Sequence, residues 1–332
     1  MRTARLARLA HLAASGGAVW VVVAVIALYA LAVSPEFRTI ANLTNLSRQM
    51  IILSLVSLAQ FIVVIGRGVD LSIGANVRLT SIVVAILMDG SDERFLLGVL
   101  GAIAISLVIG AANGIAVAKI KVEPFIATLG SAALFSGLAL YIAATPKGRA
   151  SPWWADLYGH TIGPIPVMLL LAAVVWVLVW LGLDHTRWGR HLYAVGGDPH
   201  VSRLSGLRVD RVTMSGYLLA GLIGGIAGLA LIAATGVGDP TAAASLEFDS
   251  LAVVIIGGAS LAGGRGNLLG VLGGVVLFSM LGNVFNLLGV EVWYQELARG
   301  AVILVAAALF VQRRPKPTVA LAAAPALDSK GT

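Results

Sequence analysis

The chain has 332 residues, of which 58% are hydrophobic and only 12% are charged, with a formal net charge of +7 and no cysteine. Globular domains carry roughly 25% charged residues, so this composition excludes a soluble globular protein and predicts an all-α polytopic membrane protein. Disulfides and thiolate metal sites are excluded, and no lysine stands in a phosphate-cradling Gly-x-x-x-x-Gly-Lys-Ser/Thr context, so energy from ATP would have to arrive from another subunit.

The N-terminal segment is basic, with Arg2, Arg5 and Arg8, and it precedes an apolar run at residues 18–33. This order is also typical of a signal peptide, and Ala30-Leu31-Ala32 resembles a small-residue cleavage site. The run is long, however, and nine further apolar segments make a cleaved signal unnecessary. We therefore favour a first membrane helix.

The other apolar segments are each near the length of about 20 residues that a membrane-spanning helix needs. The ten predicted spans are 18–33, 50–66, 69–88, 95–118, 125–144, 165–183, 212–234, 248–262, 268–288 and 293–311. They predict a single transmembrane domain over residues 1–312. Residues 313–332 are basic, then rich in alanine and proline, and we expect a disordered cytoplasmic tail.

The basic residues are distributed unevenly between the two ends of these spans. With the N-terminus inside, sixteen of the 23 lysines and arginines fall at cytoplasmic ends and five at outer ends. This is the asymmetry of the positive-inside rule. It accounts for the basic charge without a nucleic-acid partner, and it places both termini in the cytoplasm.

Ten spans divide into two sets of five, and an odd number per half gives the second half inverted topology, an arrangement common in transporters. The third and eighth spans then correspond, and both are interrupted: the third opens with GRGVDLSIG at 66–74, and the eighth contains Asp249 and a glycine run at 257–266. Matching broken segments indicate a translocation path, and close helix packing is an equally weighted alternative. Packing is favoured for Gly221/Gly225, Gly224/Gly228, Gly266/Gly270 and Gly270/Gly274.

Charged residues inside the spans are costly, at about 2.5 to 3.5 kcal/mol each at mid-membrane. We therefore expect Arg78 to line a solute path, near Asp249. Asp70 and Asp249 lie near helix starts, where we favour a capping role for both. Arg299 is expected to pair with Glu296, one turn earlier.

Neutral polar residues in the spans are expected either to hydrogen-bond a hydroxylated solute or to link helices, at about 0.6 kcal/mol each. The whole candidate solute path consists of Asp70, Asn76, Arg78, Asn113, Phe125, Thr128, Asp249, Asn283 and Asn286.

The longest outer loop, residues 145–164, holds Trp153, Trp154 and Tyr158. We favour an interfacial aromatic belt for these three side chains. Docking of an external protein is the alternative.

Residues 184–211 form the one long polar segment between spans and carry five arginines, so we expect it to face the cytoplasm. It contains a short helix signal: Asp198 can cap, Pro199 suits the first helical position, and Gly206 is a natural stop. Val201 and Leu204 share one face. A helix of about two turns is unstable alone in water, so this face must lie against the bundle or against a soluble partner.

Four segments resemble ribose-type permease subunits of bacterial ABC importers, within the branched-chain-type family of binding-protein-dependent inner-membrane transport components. The segments are GRGVDLSIG at 66–74, VEPFIATLG at 122–130, GRHLYAVGG at 189–197 followed by SRLSG at 202–206, and residues 251–266 with their GGASLAGGRG run. They occur in the family's order and cover most of residues 40–312. Two positions depart from the family pattern: Arg67 replaces a glycine, and Arg78 stands where the family has a small or apolar residue.

The resemblance implies a permease that pairs with a second copy, identical or different, in the bacterial inner membrane. Two cytoplasmic ATP-binding subunits would use ATP and Mg, a periplasmic sugar-binding protein would deliver a monosaccharide such as ribose, xylose or galactose, and this chain would bind no cofactor and contact membrane lipid. Its coupling helix would comprise Gly197, Asp198, Pro199, His200, Val201, Ser202, Arg203, Leu204, Ser205 and Gly206. The departure at Arg78 leaves open an anionic or unusually polar ligand.

Two other classes of function remain open from the sequence. A stand-alone secondary transporter or channel needs a relay of intramembrane carboxylates, and only Asp70 and Asp249 are available for one. A membrane scaffold or sensor would use the bundle for assembly and needs no broken helices.

Overall fold

The computed structural model describes residues 17–312, so Arg2, Arg5, Arg8 and the expected tail at 313–332 lie outside the described residues. The described chain contains thirteen α-helices, a 3-10 turn at Pro35–Arg38 and one short hairpin. In chain order the elements are α1 Gly17–Val33, α2 Ile40–Ile65, α3 Ile73–Met88, α4 Phe95–Ala118, α5 Pro124–Ile142, α6 Pro152–Gly159, β1 Thr161–Ile162, β2 Ile165–Pro166, α7 Val167–His185, α8 Arg187–Gly197, α9 Pro199–Leu204, α10 Val209–Thr235, α11 Leu246–Ile256, α12 Leu268–Leu287 and α13 Val292–Gln312.

Each predicted span coincides with one helix, and the chain is an all-α polytopic membrane protein. Within the described residues, six helices are long and apolar enough to cross a membrane, namely α2, α4, α5, α7, α10 and α12. α1 and α3 are apolar but shorter. α11 has 11 residues; at 1.5 Å per residue it is too short for a hydrocarbon core about 30 Å thick, so the eighth span is a half-helix.

The second span begins at Ile40, well before the predicted residue 50. The Thr39 side chain accepts a hydrogen bond from the backbone N–H of Asn42 at 3.2 Å and starts the helix. The Asn42 amide exchanges two hydrogen bonds with Asn283 of α12, at 3.0 and 2.8 Å. Its polarity is therefore satisfied inside the bundle, which local sequence could not indicate.

The third span begins at Ile73 rather than at residue 69, because Asp70 organises a turn before it. Its carboxylate accepts hydrogen bonds from the backbone N–H and the hydroxyl of Ser72, at 2.8 and 2.6 Å. The eighth span ends at Ile256 rather than at residue 262. The chain leaves the helix there because Gly258, Gly263 and Gly264 adopt positive φ angles.

Two glycine faces on α10 allow it to pack against two neighbours at once. On one face, a Cβ added at Gly221 would lie 2.5 Å from the Ser106 carbonyl of α4. On the other, a Cβ at Gly224 would lie 2.6 Å from the Asn76 amide of α3. A Cβ at Gly274 of α12 would similarly lie 2.5 Å from a backbone carbonyl of α11. The predicted packing role of these glycines is confirmed.

In each five-helix half, the second helix packs against helices of the other half. α2, from the first half, packs against α11 and α12, and α10, from the second half, packs against α3 and α4. The breaks before α3 and α11 also correspond, because Asp239 accepts hydrogen bonds from the backbone N–H and the hydroxyl of Thr241, both at 2.7 Å, as Asp70 does from Ser72. The counterpart of residues 66–72 is therefore 236–245, which the sequence did not single out.

At the opposite end of α3 and α10 from α9, the loop at residues 145–164 packs onto the bundle. Lys147 and Gly238 form an antiparallel pair of backbone hydrogen bonds at 2.9 and 3.2 Å. The Trp154 indole N–H donates to the Leu229 carbonyl at 2.8 Å, and the Tyr158 ring lies 5.9 Å from the Arg48 guanidinium carbon. Of the three aromatic residues predicted to form a belt, Trp154 and Tyr158 pack partly buried against the core, and Trp153 is half exposed.

The contact between α4 and α10 leaves no room for a side chain at Gly110. We expect Gly110→Ala to lower the free energy of unfolding by about 1–3 kcal/mol, because the new Cβ would lie 2.7 Å from the Tyr217 carbonyl and 3.1 Å from the Leu218 Cα, both backbone atoms. Gly137→Ala on α5 is the control, since its Cβ would meet nothing within 4 Å. Thermal unfolding of the purified protein in detergent measures both, and equal melting temperatures would contradict the packing.

Candidate coupling surface and solute path

The short helix α9 is built from local signals at both ends. The Asp198 carboxylate accepts hydrogen bonds from the backbone N–H groups of His200 and Val201, at 2.8 and 3.0 Å. The bond from Val201, followed by the bond from His200, holds the pKa of Asp198 below its usual value. The helix ends at Leu204, and Gly206 takes a φ of 83°, the left-handed conformation of a glycine stop.

An apolar knob projects from α9. Leu204 is 77% exposed and Val201 is 56% exposed, whereas Ser202 is buried against the bundle. No described residue covers the two apolar side chains. The knob, defined by Val201 and Leu204, therefore has the exposed apolar surface that would mark an interaction site.

The loop around α9 also contacts the connection between α4 and α5. Asp210, in the first turn of α10, lies 2.5 Å from the Lys121 ammonium and 3.5 Å from the Arg203 guanidinium. All three side chains are about half exposed, so each pair contributes little to stability. Their effect is to hold α9 beside the start of α5.

Helix α8 lies between α7 and the knob, and the sequence reading missed it. Thr186 caps it, accepting a hydrogen bond from the Gly189 N–H at 3.3 Å. The helix buries Leu192 and Val195, and the Trp188 indole donates to the Ser215 hydroxyl of α10 at 2.8 Å. Three glycines in 11 residues weaken its local helix signal, so tertiary packing is what holds it helical.

At the end of α8, three backbone segments touch without intervening side chains. We call this contact the glycine junction; it comprises residues 65–67, 196–197 and 263–264. The Gly264 N–H donates to the Ile65 carbonyl at 2.9 Å. A Cβ at Gly196 would lie 1.8 Å from that carbonyl, and one at Gly264 would lie 2.4 Å from the Gly197 Cα. The last residue of α2, the base of α9 and the loop after α11 therefore meet directly.

Three of the predicted path residues gather around the break at residues 66–72. Asp70 is buried and bonded to Ser72, whose hydroxyl accepts a hydrogen bond from the Asn113 amide at 2.7 Å. The Thr128 hydroxyl donates to the Val69 carbonyl at 3.0 Å. These side chains hold the non-helical backbone in place. Asp70 is not the helix cap that we expected, because Ser72 occupies the N-cap position of α3 and Asp70 lies in the turn before it.

The remaining neutral path residues link helices. The Asn76 amide donates to the Gly221 carbonyl at 3.0 Å, and Asn283 pairs with Asn42. The Asn286 side-chain carbonyl accepts a hydrogen bond from Gln295 at 3.0 Å. Phe125 is half exposed at the start of α5.

Arg78 is not the neighbour of Asp249 that we expected. Its Nε donates to the Ala242 carbonyl at 2.9 Å, in the non-helical backbone before α11, and its Nη1 donates to the Ser136 hydroxyl at 3.4 Å. Asp249 lies inside the first turn of α11 rather than at its cap, and its carboxylate is 3.9 Å from Arg299. The expected pair of Arg299 with Glu296 is present at 3.0 Å.

Comparison with known proteins places the chain among membrane permeases. Residues 42–307 match the family described as branched-chain amino acid transport system / permease component. The Ribose import permease protein RbsC of Escherichia coli (strain K12) is 36% identical over 280 residues, which are 82% of this chain and 87% of that protein. RbsC of Bacillus subtilis (strain 168) is 37% identical over 281 residues, which are 83% of this chain and 87% of that protein.

A relative that is named for a different sugar matches a similar share of the chain. The D-allose transport system permease protein AlsC of Escherichia coli (strain K12) is 31% identical over 280 residues, 84% of this chain and 86% of that protein. No solved structure matches the chain.

The glycine junction predicts a large difference between two adjacent glycines. Gly196→Ala should displace α8 and α9, because the new Cβ would lie 1.8 Å from the Ile65 carbonyl, whereas Gly197→Ala should be tolerated, because its Cβ would meet nothing within 4 Å. Hydrogen exchange of the backbone amides in residues 187–204 is the measurement. Exchange should accelerate at least ten-fold in Gly196→Ala alone, and equal protection in the two variants would rule out the junction.

Removing the α9 cap should loosen the helix in a pH-dependent way. Asp198→Ala removes the acceptor of both cap hydrogen bonds and should destabilise the helix, while Asp198→Asn retains an acceptor and serves as the control. Because the folded-state pKa of Asp198 is lowered, the carboxylate's stabilisation is present above its ordinary pKa and is lost as the pH falls through the lowered pKa. The difference in amide exchange between wild type and Asp198→Ala, corrected for intrinsic rates, should shrink in acid; a constant difference would contradict the cap.

Proposed function

Because the chain belongs to the branched-chain amino acid transport system / permease component family, we propose that it is the membrane permease subunit of a bacterial ABC importer for a monosaccharide. It is a transport subunit rather than an enzyme. The relatives named above, together with the fructose and galactose permeases among the similar proteins, are named for different sugars, and this supports a sugar as the transported solute.

The observation that carries the coupling mechanism is the exposed knob of Val201 and Leu204 directly beside the glycine junction. An apolar pair on a capped two-turn helix fits a groove on a soluble partner, in the manner of helix-in-groove recognition. We infer that the partner is a cytoplasmic ATP-binding subunit, which uses ATP and Mg while this chain binds neither. ATP-driven movement of that subunit would then push on α9.

The glycine junction supplies the route from α9 into the membrane. With no side chains between the three backbone segments, a shift of α9 has no compressible layer to absorb it. It would move the end of α2, the break at residues 66–72 and the loop after α11 together. The break and this loop are non-helical segments of the bundle. A change between two packed states would rearrange them more easily than it would rearrange continuous helices.

The orientation and remaining partners follow from charge and exposure. The basic residues around α9 favour the cytoplasmic side for it, which places the outer loop at 145–164 on the side of a periplasmic sugar-binding protein. Only 17% of the apolar stretch of α5 and 22% of that of α7 are buried within the chain. Their free faces suit lipid and a second permease copy.

Replacing Leu204 with Asp tests the coupling role. A charge on a knob that inserts into an apolar groove should abolish ATPase binding and reduce sugar uptake at least ten-fold, while Leu204 is 77% exposed in the chain alone and membrane insertion should be unaffected. Leu204→Met keeps an apolar side chain and should retain uptake. Co-purification of the ATPase and uptake in reconstituted vesicles are the readouts.

Normal uptake by Leu204→Asp would rule out the knob as the coupling element. Sugar uptake by vesicles that contain the permease without any ATPase would favour a secondary transporter instead.

A further inference from the structure

A cavity of about 330 Å³ lies between α2, α11, α12 and α13, and four polar side chains project into a mostly apolar lining. Ligand pockets span roughly 300–1,000 Å³, so this cavity has room for one small solute. Its lining includes Gln49, Asp249, Phe278, Ser279, Gly282 and Arg299. Of the candidate path residues, only Asp249 lines it.

The hydroxyl of Ser279 gives the cavity an unmet hydrogen-bonding requirement. Ser279 is only 4% exposed, and its Oγ has no hydrogen-bond partner among the described residues. A buried polar group without a partner is destabilising, and such groups are rare in folded proteins. A ligand with hydroxyl groups would satisfy it.

The charged pair in the cavity is held apart. Asp249 is 9% exposed, and its carboxylate lies 3.9 Å from Arg299 Nη1, beyond hydrogen-bonding distance. Arg299 Nη1 is instead bonded to Glu296 at 3.0 Å. The Asp249 carboxylate, which accepts no hydrogen bond from the side chains that the structure describes, is therefore open to donors. Its two oxygens can accept from two adjacent hydroxyls of one ligand.

One wall of the cavity is the break before α11. Ala243 lines it, and Ala243 and Ser245 both adopt left-handed backbone conformations, with φ of 61° and 65°. Arg78 holds this break by bonding to the Ala242 carbonyl. Solute sites in transporters are typically formed where helices are discontinuous, and this cavity meets that condition within a single chain.

We propose that this cavity is an intramembrane binding site for a monosaccharide, an inference that rests on the proposed import function. Asp249 accepts from the sugar hydroxyls, Gln49, Ser279 and Arg299 complete the hydrogen bonds, and Phe278 packs against the C–H groups of the ring. The ligand is a neutral polyol rather than an anion, because the Asp249 carboxylate in the lining accepts hydroxyl donors and repels a second negative charge. Arg299 is flanked by both Asp249 and Glu296 and, among the described residues, keeps free N–H groups for hydroxyl oxygens. Arg78 does not line this cavity.

Four variants test the site in the complete importer, reconstituted in proteoliposomes with its ATPase and sugar-binding protein. Ser279→Ala and Asp249→Asn remove hydrogen bonds to the ligand. Gly282→Leu fills the cavity without removing a polar group, because a Cβ there meets only Gln49 Oε1 at 3.6 Å and Arg299 Nη2 at 3.7 Å. The control is Ser57→Ala, whose hydroxyl on α2 is also buried and unpartnered among the described residues but is absent from the cavity lining.

The readouts are uptake of radiolabelled ribose, allose and galactose per ATP hydrolysed, and the sugar-induced rise in melting temperature of the purified permease. Uptake should fall roughly five-fold in Ser279→Ala and roughly ten-fold or more in Asp249→Asn, the second because a hydrogen bond to a charged group is lost. Gly282→Leu should abolish both uptake and the sugar-induced rise. Ser57→Ala should match wild type in both.

If wild type imports a monosaccharide and Ser279→Ala, Asp249→Asn and Gly282→Leu all match Ser57→Ala, the cavity site is wrong and the import function stands. If the wild-type complex moves none of the sugars, the import proposal fails and the site falls with it.

Discussion

The contact on which the rest of the structure depends is the glycine junction, where the backbones of α2, the α8–α9 turn and the loop after α11 meet. Gly196 and Gly264 are required there because any Cβ would overlap a neighbouring backbone atom. Close approach of this kind is what glycine permits and no other residue does. It fixes α9 directly onto the membrane bundle, so a displacement of α9 would displace the broken segments with it.

The interior of the bundle follows a second constraint, that polar groups in hydrocarbon must find partners within the protein. Asn42 and Asn283 satisfy each other, Asn76 bonds to the backbone of α10, and Arg78 bonds to a carbonyl that the break before α11 leaves free. Among the described residues, the Ser279 hydroxyl has no hydrogen-bond partner, and it lines the same cavity as Asp249, whose carboxylate lies 3.9 Å from Arg299. The proposed solute site rests on this combination of an unpartnered hydroxyl and a carboxylate in one cavity.

Local signals allowed the sequence to predict a great deal of this. Apolar length located all ten span helices, and Asp198 with Pro199 located α9, because hydrophobicity and capping act over a few residues. Long-range contacts could not be predicted from the sequence. Asn42 meets Asn283 across 241 positions, and Asp249 lies near Arg299 rather than Arg78. Helix α8 was missed because its glycines, which lower local helix propensity, serve the junction instead.

The central claim is that the knob faces the cytoplasm and docks on an ATPase subunit. Because the chain contains no cysteine, a Leu204→Cys substitution introduces a single thiol at the knob, which can be labelled to test this claim. The decisive measurement is reaction of this cysteine with a membrane-impermeant maleimide in right-side-out and inside-out vesicles, with and without the ATPase. We predict labelling only in inside-out vesicles, and protection when the ATPase is bound. Labelling from the outer side, or equal labelling with and without the ATPase, would contradict the account.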